Sequence, residues 1–131
     1  MKVIVCVDDN FGMLFNKRRQ SRDKVLLEDV FKTTEKVWIH SFSEKLFVDY
    51  ADRIIVDDAF LEKAGEKDVC FVENQRLTAY REKINRLIVY KWNRKYPADF
   101  YLDLNLGEWN LEETVEFAGK SHEKITREIY N

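Results

Sequence analysis

Between Asn10 and Arg22 the chain reads NFGMLFNKRRQSR, with four cations, Lys17, Arg18, Arg19 and Arg22, and no acid. Guanidinium groups fork onto carboxylates and phosphates, so this cluster points to anion binding. Gln20 and Ser21 add polar groups that can read a ligand, and Asn10 and Asn16 stand where they could line the same place. Trp38 or Phe15 offers a ring for stacking. His40, at the C-terminal end of an expected strand, faces the cleft that such ends create. The plain alternative is a solvated basic loop paired with the acids Asp8, Asp9 and Glu28. Against it, a mere surface usually mixes acids among its cations.

These residues need elements to position them. VIVCV, Val3 to Val7, is a continuous β-branched run suited to a strand covered on both faces. From about Arg22 to Thr33, Val25, Leu26 and Val30 recur at helical spacing. Ser21 is the expected N-cap, and Asp23 favours the positive end of the helix dipole. Further strands are expected at Lys36 to Ser41, Asp52 to Asp58, Asp68 to Glu73 and Asn85 to Trp92. Helices are expected from Ser41, with Glu44 at capping-box spacing, to Tyr50, in AFLEKAGE up to Gly65, and from Asn74 to Ile84. ADFYLDL and HEKITREIY read as late strands. Strands alternating with helices predict a single-domain α/β fold: a mixed sheet, mostly parallel, with an antiparallel C-terminal edge and helices on both faces.

Composition narrows the class. The 131 residues carry a formal net charge of −2, so the molecule as a whole is no nucleic-acid polycation. No apolar run approaches the roughly 20 residues of a membrane span. The opening MKVIVCVDD is too short and too soon acidic for a signal peptide, which predicts a cytoplasmic protein. Cys6 and Cys70 each lie inside a strand-like run and have no zinc spacing, so they are expected as buried free thiols. The apolar late strands could pair two copies at an edge, though no specific signal sets an oligomeric state.

Four segments, in this order, resemble dihydrofolate reductase in a shortened, diverged form. VIVCVDDNFGM resembles that family's first strand and the acid and glycine after it. TTEKVWIHSFS resembles the second strand running into a helix, and DVCFVENQRL a later strand and its following turn. NRLIVYKWNRKYPADFYLDLNLGEWN resembles the ending, with Leu87, Val89, Ala98, Asp99, Tyr101 and Trp109 in register. The resemblance implies that Asp23 is the carboxylate which holds a pterin and assists its protonation. It also implies that Ser43 stands in for a phosphate-binding threonine. The cofactor side departs from the family. Its consecutive glycines are Glu73 and Asn74 here, its phosphate-gripping arginine is missing beside His40, and its fifth-strand threonine is Tyr90. A carboxylate there repels a pyrophosphate, so no NADPH is expected as cofactor.

Three function classes follow. The first is a binding protein for a small anionic or nucleotide-like ligand, in which Arg18, Arg19, Gln20, Ser21 and Arg22 converge with Asp23 over one crevice. In this class, Arg19→Ala is expected to abolish binding and leave the stability of the free protein unchanged. The second is a reductase with a rebuilt cofactor site. The third is contact with RNA through the basic loop. The opening is also similar to small bacterial proteins labelled ribonuclease Z. Enzymes of that name hold zinc with His-x-His-x-Asp-His, whereas His40 and His122 are the only histidines here and stand far apart.

Overall fold

The β-branched run near the start becomes β1 (Lys2–Val7). Side chains leave a strand on alternate faces. Val3, Val5 and Val7 enter one buried cluster, and Ile4 enters another on the opposite face. With apolar layers on both sides, the run has no polar alternation. A computed structural model describes residues 1–131.

After β1 come β2 (Gly12–Phe15), β3 (Arg18–Arg19) and α1 (Lys24–Thr33). Leu26, Leu27, Val30 and Phe31 form the apolar stripe of α1 and pack on the Ile4 face. Then follow β4 (Val37–Ile39), a 3₁₀ stretch Ser41–Arg53, and β5 (Ile54–Val56). The 3₁₀ stretch buries Leu46 and Phe47 beside α1. Arg53 ends it and donates to the free carbonyls of Phe31 and Thr34 at 3.2 and 2.8 Å, closing the far end of α1. On the other face, α2 (Phe60–Lys63) contributes Phe60 and Leu61 to the cluster of Val3, Val5 and Val7.

β6 (Val69–Phe71), a 3₁₀ stretch Thr78–Lys83, and β7 (Arg86–Lys91) complete the parallel part. β8 (Phe100–Tyr101), β9 (Leu111–Phe117) and β10 (Ile125–Tyr130) follow. The main sheet has seven strands in the order β5-β4-β6-β1-β7-β10-β9. β5, β4, β6, β1 and β7 run parallel, and β10 is antiparallel to both β7 and β9. This is the expected mixed sheet, with its antiparallel C-terminal edge and helical elements on both faces.

Several local expectations change. The residues 10–23 are not an open loop: β2 and β3 form a hairpin, with Phe15 paired to Arg18. Asn16 and Lys17 make its two-residue turn, at φ 50° and 61°, as a type I′ geometry requires. A third strand, β8, pairs with β2, so ADFYLDL gives a short strand outside the main sheet. Only Thr78–Lys83 of the expected helix 74–84 coils, as 3₁₀ turns, because none of its side chains is buried to hold a longer helix. The stretch from Ser41 is likewise 3₁₀, broken at Phe47 and Tyr50. β9 lacked a sequence signal because it is an edge strand whose side chains are mostly exposed.

Candidate functional site

The hairpin carries its cations toward the ends of β1 and β6, where Lys17, Arg18, Arg19 and Arg22 border one open groove that Asp23 does not line, and Arg19 is paired within the chain. Arg19 faces inward. Its Nε and Nη2 donate to Glu73 Oε2 and Oε1 at 2.5 and 2.6 Å, a forked pair. Ser43 Oγ donates to Glu73 Oε1 at 2.7 Å. Glu73 is thus a buried carboxylate satisfied by a cation and a hydroxyl. The expectation that Arg19 is free for a ligand is corrected here. The crevice behind this pair, lined by Cys6, Met13, Leu27, Phe71 and Trp92 among others, holds about 20 Å³, room for about one water. Burial pushes the Cys6 thiol well above the usual thiol range, and Cys70, also buried, up to about 12. Both cysteines are unpaired.

The outer side of the hairpin is different. Lys17, Arg18, Gln20, Ser21, Arg22, Phe42 and Lys45 border an open groove of about 510 Å³, with no acid among its walls. None of Lys17, Arg18, Arg22 and Lys45 enters an ion pair. Phe42 lies beneath the Arg19 guanidinium, 5.7 Å from its ring centre, and forms an apolar floor. A neighbouring groove of about 490 Å³ runs along Phe15, Asn16, Arg18, Tyr96 and Pro97. Arg18, Arg19 and Gln20 border both. Gln20 Nε2 donates to Asp8 and to the Pro97 carbonyl, both at 3.3 Å, and its Oε1 is buried without a partner.

Asp23 is the buried N-cap of α1, a role expected of Ser21. Its Oδ1 accepts from the N–H groups of Val25 and Lys120 at 2.9 and 3.0 Å. Its Oδ2 accepts from the Ser121 N–H at 2.9 Å and faces His122 Nδ1 at 2.8 Å. Desolvation raises its pKa, but these hydrogen bonds outweigh it and hold the carboxyl well below the usual carboxylate range. An ionised carboxylate only accepts, so His122 Nδ1 carries a proton, and in the neutral imidazole Nε2 is then an acceptor. Nε2 lies 2.9 Å from Ser21 Oγ and 3.2 Å from Tyr96 Oη. Trp92 stacks on the imidazole at 4.6 Å. The carboxylate is therefore turned into the turn 119–122, not held open for a pterin.

That turn depends on Gly119. A methyl group there would sit 2.6 Å from Asp23 Oδ2 and 2.9 Å from Ile125 Cδ1. Gly119→Ala is expected to destabilise the protein by about 1–3 kcal/mol, as overpacking does. Urea unfolding checks it: an unchanged midpoint would mean the turn yields freely.

The remaining candidates stand apart. Asn10 is exposed in the turn after β1, where its N–H donates to Asp8 at 2.9 Å. Asp8 is buried and not a surface partner of the cations; it also accepts from the Gly12 N–H at 2.7 Å. Trp38 lines a separate groove with Lys36, Tyr90 and Arg127. His40 is used locally: its Nδ1 accepts from the Phe42 N–H at 2.9 Å, making it the N-cap expected of Ser41, and its Nε2 lies 3.5 Å from Asp58. Sequence reasoning missed Phe42, Lys45, Tyr96 and the role of His122. The last has no local signal, because its partners Ser21 and Asp23 lie about a hundred positions earlier. No three His, Cys, Asp or Glu side chains are grouped to hold a metal, and no helix is long and apolar enough to cross a membrane.

The sheet order, the crossovers and the C-terminal hairpin together define a dihydrofolate reductase-like fold. A solved dihydrofolate reductase from Enterococcus faecalis, complexed with NADP(H) and RAB-propyl, superposes with a TM-score of 0.68 at 13% identity. The match covers 99% of this chain and 94% of that one. At this identity the likeness establishes the fold and its divergence. No family model and no curated protein matches the sequence.

Proposed function

We propose that the chain is a binding protein on a reductase-like scaffold, which takes a small anionic or nucleotide-like ligand in the groove outside the β2–β3 hairpin. The observation that carries this reading is the wall of four unpaired cations, Lys17, Arg18, Arg22 and Lys45, with no acid among them. Like charges are held together there at a cost that a phosphate or carboxylate would remove. Asp23 sets the shape of the wall by fixing the start of α1. Where the resembled family places glycines, the Arg19–Glu73 pair fills the space, which argues for loss of that family's NADPH site. Two unpaired cysteines fit a reducing compartment such as the cytoplasm.

Thermal shift tests the reading, since a ligand that binds only the folded state raises the melting temperature. Inorganic phosphate, nucleotides, reduced nicotinamide cofactor with dihydrofolate, and a short RNA are compared. A shift of several degrees with phosphate-bearing small molecules is expected, lost in the Arg18→Ala, Arg22→Ala, Lys45→Ala triple variant. These side chains make no ion pair, so the free variant melts close to the wild type. A shift that survives the triple variant would overturn the assignment. Oxidation of the nicotinamide cofactor with dihydrofolate would replace it with the reductase reading, and a response only to RNA with the nucleic-acid reading.

A further inference from the structure

We propose that Ser21 is a nucleophile activated by His122 and oriented through Asp23, and that it transfers the acyl group of a small anion-bearing ester to water. Three side chains from two distant parts of the chain form one relay. Asp23 Oδ2 lies 2.8 Å from His122 Nδ1, and His122 Nε2 lies 2.9 Å from Ser21 Oγ. These are the contacts by which a carboxylate fixes an imidazole and the imidazole withdraws a hydroxyl proton. The relay is dry at its core, with His122 at 5% and Asp23 at 4% exposure. It opens at Ser21, which is only half-buried and borders both the narrow crevice and the basic groove.

The surroundings fit acyl transfer. Asp23 is held ionised by the N–H groups of Lys120 and Ser121, so it keeps the proton on Nδ1 and stabilises the imidazolium when it forms. Trp92 fixes the ring plane. Tyr96 Oη, 3.2 Å from Nε2, gives that nitrogen a second neighbour when Ser21 is engaged elsewhere. The backbone N–H groups of Ser21 and Arg22 donate to no acceptor in the chain, and in the proposed step they are assigned to the developing oxyanion. The cations Arg18, Arg22 and Lys45 select an anionic group on the substrate. For that selectivity alone, the inference rests on the anion-binding reading.

In the first step the bond from Ser21 Oγ to the carbonyl carbon forms, and the Oγ proton passes to His122 Nε2. Collapse breaks the bond to the leaving alkoxide, which takes that proton and departs as the alcohol. Water then repeats the sequence on the acyl-serine, giving the acid and free Ser21. Nothing is oxidised or reduced.

A fluorophosphonate probe followed by peptide mapping reads the nucleophile. One adduct is expected, on Ser21, absent from Ser21→Ala and at least about 100-fold slower in His122→Gln. With the rate measured without protein subtracted, hydrolysis of the 4-nitrophenyl ester of 4-sulfobutyrate, whose sulfonate does not displace its own leaving group, is expected to exceed that of the neutral butyrate ester at equal concentration, and to vanish in Ser21→Ala. Should His122→Gln fail to fold, the wild type and Ser21→Ala still decide the matter. A folded wild type with no Ser21 adduct overturns the proposal, as does hydrolysis that persists unchanged in Ser21→Ala. Phosphate-induced thermal shift without any adduct removes the nucleophile and leaves the binding groove. An adduct without any phosphate shift keeps the nucleophile and removes the groove.

Discussion

Replacing Asp23 with alanine is expected to lower the melting temperature by roughly 10–20 °C. The change removes the N-cap of α1, worth about 1 kcal/mol. It also strands the N–H groups of Lys120 and Ser121 and the His122 ring nitrogen, which its carboxylate now satisfies. Each buried donor left unpaired costs about 1–3 kcal/mol. The sum, allowing for relaxation and water entry, is about 3–5 kcal/mol, and a chain of this length loses roughly 3–5 °C for each. Calorimetry checks it. A drop of only a degree or two would show that the turn 119–122 finds other partners.

The same carboxylate governs acid stability. Its pKa in the folded protein lies below the unfolded value, about 3.9. Its contribution is therefore complete above the unfolded value and is lost as pH falls toward the folded one. In Asp23→Ala the decline of stability below about pH 4 is expected to be shallower than in the wild type, as urea midpoints across that range would show.

The second large effect concerns the pair behind the hairpin. Arg19→Ala is expected to destabilise the free protein by about 3 kcal/mol, because it leaves the buried Glu73 carboxylate with Ser43 alone. Glu73→Ala is expected to cost a comparable amount by stranding the guanidinium. Replacing both, Arg19→Met with Glu73→Leu, is expected to recover most of the loss, since neither charge is then left unpaired. Arg18→Ala, on the solvent side of the same hairpin, is expected to stay within about 0.5 kcal/mol of the wild type. Denaturant melts of the four variants form the test. Additive losses in the double variant would break the argument. The expectation that Arg19 could be removed without a stability cost fails because adjacent arginines in a strand face opposite ways.

The main-sheet strands other than β9, and α1, followed in order from local pattern. Val3 to Val7, the helical spacing of Leu26 and Val30, and the run before Trp92 declared their elements because each is covered by apolar neighbours in the fold. The cation cluster before Asp23 was equally legible, since uncompensated charge is a property of composition. Tertiary structure alone decided which cation meets which partner. Strand alternation sends Arg19 inward to Glu73 and Arg18 outward to the groove, a choice set by hairpin register. His122 reaches Asp23 because β10 returns beside β7 and brings the preceding turn over the start of α1. Such contacts join residues far apart in the chain, and nothing local encodes them. They form because a buried carboxylate must find donors wherever the packed chain supplies them.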